Sequence, residues 1–74
     1  MTQEALLKTL ISLGVKEIVV NSDLYRPEEL IRIVTEAANS ETVLRVTNLY
    51  NKSYTVILEL ARIGKGNLII DYRE

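Results

Sequence analysis

Cysteine and histidine are both absent from this sequence of 74 residues. Without them the chain forms no disulfide and lacks the usual ligands of zinc and haem iron. The same absence removes the most common general base and the best nucleophile of enzyme chemistry. We therefore predict a protein that is not an enzyme, has no catalytic residue, holds no metal and uses no cofactor.

The sequence also lacks an excess of charge of either sign and any long apolar run. Nine basic and ten acidic residues leave a net charge of −1, so we expect no nucleic-acid partner. No apolar run approaches the roughly 20 residues of a membrane span, and residues 1–4 lack the basic start of a secretory signal. Because a cysteine-free chain suits a reducing compartment, we expect a cytoplasmic protein with no membrane partner.

The residues that are present supply apolar surface for one small core. Hydrophobic residues make up 47% of the chain, and we predict a single α/β domain over residues 1–74. A chain this short buries only about 60% of the surface that its unfolded form exposes. With no disulfide or metal to stabilise it, the domain needs a dense core or an associated partner.

Three short segments rich in β-branched residues predict strands. Their centres, Val19, Leu44 and Ile69, are 25 residues apart, which indicates an internal repeat. The predicted strands are residues 17–20, 42–47 and 67–71.

Helical patterns precede each of these strands. The first covers residues 2–13 and the second begins at Pro27, a residue suited to the first position of a helix. The third segment, residues 52–63, is ambiguous, because its β-branched residues favour a strand. Read as a helix, it has one apolar face formed by Tyr54, Ile57, Leu58 and Ala61.

A second series of residues at the same spacing favours the helix. Gly14, Asn39 and Gly64 each precede a predicted strand by three residues, and Gly and Asn tolerate the left-handed conformation that ends many helices. We therefore predict the same order in each unit, which is a helix, a left-handed residue, a short link and a strand. In the third unit we expect Asn51 to be the N-cap.

The predicted fold class is α/β, with three helix–strand units in the order α-β-α-β-α-β and a small three-stranded parallel sheet packed by helices. Consecutive strands joined by a helix in one sheet are almost always parallel, with a right-handed crossover. Two strand orders stay open. The order 1-2-3 places all helices on one face, whereas the order 2-1-3 places the second and third helices on opposite faces.

Side-chain alternation predicts two mostly apolar sheet faces, as in parallel sheets that are covered on both sides. One face would present Arg45 among the apolar residues at 18, 20, 43, 68 and 70. In the order 1-2-3 one face needs cover from outside the monomer, so we predict a homo-oligomer or another protein as partner. Arg45 would pair with Asp71 or with a carboxylate of that partner. The candidate interface residues are Val20, Arg45, Ile70 and Tyr72.

A site for a small ligand or an anion is the alternative interpretation. Ligands of open α/β sheets bind beyond the carboxyl ends of the strands, and helix N-termini there attract anions. The same residue types are also common in turns and caps. We thus expect a non-enzymatic protein-interaction or self-assembly module first and a ligand-binding domain second. The candidate ligand-binding residues are Asn21, Asp23, Tyr25, Thr47, Asn48, Tyr50 and Asp71.

Overall fold

The computed structural model describes residues 2–71 and contains three helices and three strands in strict alternation. The predicted α/β fold class is confirmed, and the ambiguous third segment is a helix. The helices are α1 (Gln3–Ser12), α2 (Pro27–Ala38) and α3 (Tyr54–Gly64), and the strands are β1 (Glu17–Asn21), β2 (Val43–Thr47) and β3 (Leu68–Asp71).

The three strands are parallel and lie in the order β1-β2-β3. This result decides between the two strand orders that the sequence left open. For this strand order, crossovers of the usual right hand place the connecting helices on the same side of the sheet. Helix α2 contacts both α1 and α3, so the three helices form one layer over one face. The other face of the sheet has no helix on it among the described residues.

The register of the strands differs from the predicted 25-residue spacing. Ile18 pairs with Leu44, 26 positions later, and Leu44 pairs with Leu68, 24 positions later. Side chains alternate with a period of two along a strand, so a shift of one position moves a side chain to the opposite face. The prediction of which β2 side chains share a sheet face with those of β1 and β3 was therefore wrong. The face under the helices is wholly apolar and consists of Ile18, Val20, Leu44, Val46, Leu68 and Ile70.

The core lies between this apolar face and the helix layer. Helix α2, in the middle of the layer, buries four side chains, and α1 and α3 bury fewer. Its strongly amphipathic sequence explains why, since its apolar residues recur at the spacing of one helix face. The largest fully buried apolar side chains are Leu30, Ile33, Val34, Leu44, Val46, Leu49 and Leu60.

Helices α1 and α3 each begin with a side-chain cap. The hydroxyl of Thr2 accepts a hydrogen bond from the Ala5 amide at the start of α1. The hydroxyl of Ser53 accepts one from the Val56 amide, 3.3 Å away, at the start of α3. The predicted N-cap Asn51 was wrong, because this residue ends a 3₁₀ turn over Leu49–Asn51 that precedes the cap. Serine and threonine hydroxyls at these positions satisfy amides that have no partner within the helix.

The helix ends follow the predicted rule in only one unit. Gly14 has a φ of 86° and is left-handed, as expected. Asn39 has a φ of −91° and Gly64 a φ of −76°, so the prediction of left-handed residues at these two positions was wrong. In the third unit the chain turns one residue later, at Lys65, whose φ is 48°.

Candidate functional site

The carboxyl ends of β1 and β2 bring together most of the predicted ligand-binding residues. The side-chain oxygen of Asn21 accepts hydrogen bonds from the Asp23 amide at 3.0 Å and from the Asn48 side-chain amide at 2.7 Å. The Asp23 carboxylate accepts another from the Asn51 side-chain amide at 3.3 Å. Asn48 is left-handed, with a φ of 62°, which asparagine tolerates better than most residues. These groups bond to one another across adjacent units.

The loops above the strand ends are joined in the same way. The hydroxyl of Thr47 donates to the Val20 carbonyl at 3.4 Å, and the Lys52 ammonium donates to the Tyr25 carbonyl at 3.1 Å. Tyr25 is buried, and its hydroxyl donates to the Gln3 side-chain oxygen at 3.1 Å. Burial, together with the nearby Glu29 carboxylate, raises the pKa of Tyr25. The hydrogen bonds at this edge thus hold the units in line.

The other predicted ligand-binding residues differ in their exposure. Tyr50 is 41% exposed, whereas Asp71 at the end of β3 is buried, at 9%. Sequence reasoning missed Ser22, which is fully buried and whose hydroxyl has no hydrogen-bond partner within residues 2–71. Ser22 and Leu49 are both buried at the start of a 3₁₀ turn, so the serine occupies an apolar position. Whether the residues at this edge bind a ligand stays a prediction.

The helix-free face of the sheet is the second candidate site. By alternation from the covered residues, it consists of Glu17, Val19, Asn21, Val43, Arg45, Thr47, Ile69 and Asp71. Val19 is 62% exposed. The guanidinium of Arg45 lies 3.3 Å from the Glu17 carboxylate on the neighbouring strand, and both side chains are partly exposed. The face is therefore mixed in character, and Arg45 pairs with Glu17, where Asp71 or a partner carboxylate was predicted.

The four predicted interface residues are not found together on this face. Val20 is only 2% exposed, and Ile70 packs against the core on the helix side. Both were assigned to the face of Arg45 because the odd spacing of the repeat reversed β2 relative to its neighbours. Arg45 does lie on the helix-free face, and Tyr72 lies outside the described residues.

Several large apolar side chains are exposed on the outer helices. The apolar face predicted for α3 was wrong, because Tyr54 is 79% and Leu58 is 68% exposed, while Leu60 is fully buried. On α1, Leu6 is 47% and Leu13 is 74% exposed. The signal for this result was present in the sequence, since the outer helices have more apolar residues than one buried face accommodates.

The described part of the chain contains neither a candidate metal site nor a candidate membrane span. Within residues 2–71, no three acidic side chains are clustered in a way that could hold a metal ion. None of the three helices is long and apolar enough to cross a membrane, as far as the described residues go.

No protein family, curated protein or solved structure compared with this chain matches it.

Proposed function

We propose that this protein is a non-enzymatic interaction module that binds another protein through the helix-free face of its sheet. The observation that supports the proposal is the placement of all three helices on one face, which leaves Val19 62% exposed on the other. Because the chain has no cysteine, we further propose a cytoplasmic setting.

The chemistry of the face suits a protein partner. Val19, Val43, Thr47 and Ile69 surround Arg45, which pairs with Glu17. Arginine beside apolar side chains is typical of protein interfaces, where its planar guanidinium stacks and forms paired hydrogen bonds. The ion pair is partly exposed, so an acidic group of a partner has access to the guanidinium.

The size of the face favours a weak or transient complex. Three strands about 4.8 Å apart, with about 3.3 Å per residue, give a face only about 15 Å across. A stable protein interface usually buries about 800 Å² on each partner. The sheet face alone is smaller than this, so the partner would also contact its rim.

Substitution of Val19 provides the test. A partner is first isolated with the immobilised wild-type protein, then purified, and its affinity is measured by titration calorimetry. We expect Val19→Glu to weaken binding at least about tenfold, because a carboxylate in an apolar contact loses its water. Thr35→Glu, on the exposed side of α2, is the control and should bind as wild type does.

Three results would contradict the proposal. The first is that no purified partner binds, and the second is that Val19→Glu binds as tightly as Thr35→Glu. The third is a rise in melting temperature with phosphate or a nucleotide, which would favour a ligand site at the strand ends.

A further inference from the structure

Within residues 2–71 the three units form a row, and no further strand or helix of this part of the chain lies beyond either end. The outer elements of the row are β1 with α1 at one end and β3 with α3 at the other, since β2 and α2 lie in the middle. An edge strand presents backbone groups that can pair with another strand. What distinguishes these two ends is the set of side chains that their helices direct outwards.

Two contacts of α2 show which of its sides faces which neighbour. Arg32 donates two hydrogen bonds to Glu4 of α1, at 2.7 and 2.9 Å, so its side of α2 faces α1. Val34 is about 200° further around the helix, at about 100° per residue, and therefore faces α3. The structure agrees, because a Cβ at Gly64 of α3 would lie 3.0 Å from a methyl group of Val34.

The corresponding side of α3 has no neighbour among the described residues. Both helices begin directly after their N-cap, α2 at Pro27 and α3 at Tyr54, so positions 27, 31 and 34 correspond to Tyr54, Leu58 and Ala61. In α2, positions 31 and 34 are half-buried and buried, whereas Tyr54, Leu58 and Ala61 are exposed. We call these three residues the C-terminal end surface.

The opposite end of the row has an apolar stripe of its own. Glu4 marks the side of α1 that faces α2, and Leu6 and Leu13 lie on the side about 180–200° away. Leu6 is 47% and Leu13 is 74% exposed, and Leu10 between them is half-buried. We call these leucines the N-terminal end surface. This stripe contains no charged residue.

We propose that the protein assembles head to tail, with the N-terminal end surface of one copy packed on the C-terminal end surface of the next. The edge of β1 in one copy would then pair with the edge of β3 in the other, in parallel. The argument is that the molecule already contains this joint twice, between its first and second units and between its second and third. A helix–strand unit of this chain therefore has the shape that such an end accepts.

The geometry also selects head-to-tail contact over a two-fold dimer. Two C-terminal end surfaces facing each other would need antiparallel strands and helices, an arrangement found nowhere in the described chain. A head-to-tail contact leaves one free end on each copy, so it adds further copies unless the rotation closes a ring. The molar mass in solution should rise with concentration. This inference does not depend on the proposed function of the sheet face.

Two single substitutions and their mixture provide the test, with molar mass measured by sedimentation velocity and light scattering. Leu58→Arg blocks the C-terminal end surface, and Leu13→Lys blocks the N-terminal one. Both side chains are largely exposed, and a cation at the end of α1 is favoured by the helix dipole. We expect each variant alone to have the 8.4 kDa mass of one chain, and an equimolar mixture to reach twice that mass and no more.

The mixture separates the possible outcomes, because each variant retains one intact end. A wild type that stays monomeric at high micromolar concentration would overturn the inference. So would a dimer of Leu13→Lys beside a monomeric Leu58→Arg, since that result describes a two-fold contact of C-terminal ends. Circular dichroism checks folding, and Tyr54→Glu with Leu6→Gln is a second pair of variants. Val19→Glu should assemble as wild type does, so failure here is distinguishable from failure of the proposed function.

Discussion

At the scale of single residues, the link between α3 and β3 shows two different demands on the backbone. Gly64 has an ordinary helical φ of −76°, so its conformation does not require glycine. It is needed for space, because a Cβ there would lie 2.6 Å from the Cβ of Leu68 and 3.0 Å from Val34. The positive φ falls on Lys65, at 48° with a ψ of −125°, where a residue with a side chain is strained.

We expect Gly64→Ala to lower the free energy of unfolding by about 1–2 kcal/mol. Overpacking of a core typically costs about 1–3 kcal/mol, and the better helix propensity of alanine returns up to about 1 kcal/mol of that. Urea unfolding monitored by circular dichroism gives the difference. Gly66→Ala is the matched control, because a Cβ at Gly66 meets nothing within 4 Å. Equal stability of the two variants would show that Gly64 is not in close packing.

A sequence alone does not separate these two roles of glycine. Gly14 and Gly64 occupy equivalent places in the repeat. Glycine is favoured at position 14 by the φ of 86°, whereas at position 64 it is favoured because a Cβ has no space. Which of them applies depends on how close the neighbouring unit lies, and that distance is a property of the packed structure.

At the scale of elements, polar contacts fix the positions of neighbouring units. The paired hydrogen bonds from Arg32 to Glu4 connect α1 to α2. They hold the pKa of Glu4 below its ordinary value and raise that of Arg32. The buried Thr42 hydroxyl donates to the Val15 carbonyl, and the Asn67 side chain donates to carbonyls of the second unit.

The lowered pKa of Glu4 predicts a dependence of stability on pH. The unfolded chain binds a proton at Glu4 at a higher pH than the folded chain does. The contribution of Glu4 to the free energy of unfolding therefore rises with pH. It is fully present above the usual glutamate pKa of about 4.3, and it is lost as the pH falls through the lower pKa of the folded state. We expect Glu4→Gln to be less stable than wild type at pH 6, and the difference to vanish near the acid end of the titration.

Urea midpoints measured at a series of pH values test this prediction, and a second background provides the control. In Arg32→Gln the main cause of the lowered pKa of Glu4 is absent, so Glu4→Gln should there have a much smaller effect at every pH. A difference between wild type and Glu4→Gln that is the same at all pH values would contradict the assignment of this ion pair.

At the scale of the whole molecule, the row of units makes stability uneven. The middle unit has a neighbour on both sides, and β2 exchanges hydrogen bonds with both β1 and β3. Leu44 and Val46 of β2 are fully buried. In such linear arrays the units at the ends depend on one interface each, so they open more readily than the middle.

We therefore expect the amide hydrogens of β2 to exchange with solvent at least about tenfold more slowly than those of β1 and β3, a difference of about 1.4 kcal/mol. Hydrogen exchange followed by nuclear magnetic resonance at low protein concentration provides the measurement. High concentration is the internal comparison, because head-to-tail assembly should add protection at the edges of β1 and β3. Uniform exchange rates in all three strands would contradict a row with open ends.

The sequence by itself determined the element types and their order. Pro27, the β-branched strands and the amphipathic pattern of α2 depend only on residues close together in the chain, and they were read correctly. The face of β2 relative to its neighbours and the outer face of α3 were not. A 25-residue repeat is odd, whereas the strands pair at 26 and 24 positions, and only an even shift keeps apolar side chains on one face.

The tertiary structure decided the strand order and, with it, the surfaces available to partners. Whether a helix–strand unit packs beside the first or the second strand depends on contacts between distant residues, which no local pattern specifies. The order β1-β2-β3 leaves a mixed sheet face and two apolar ends, where the sequence indicated only that apolar surface would be left over. The absence of cysteine and histidine led to the prediction of a non-enzymatic protein, and the packing supplies the surfaces on which both proposals rest.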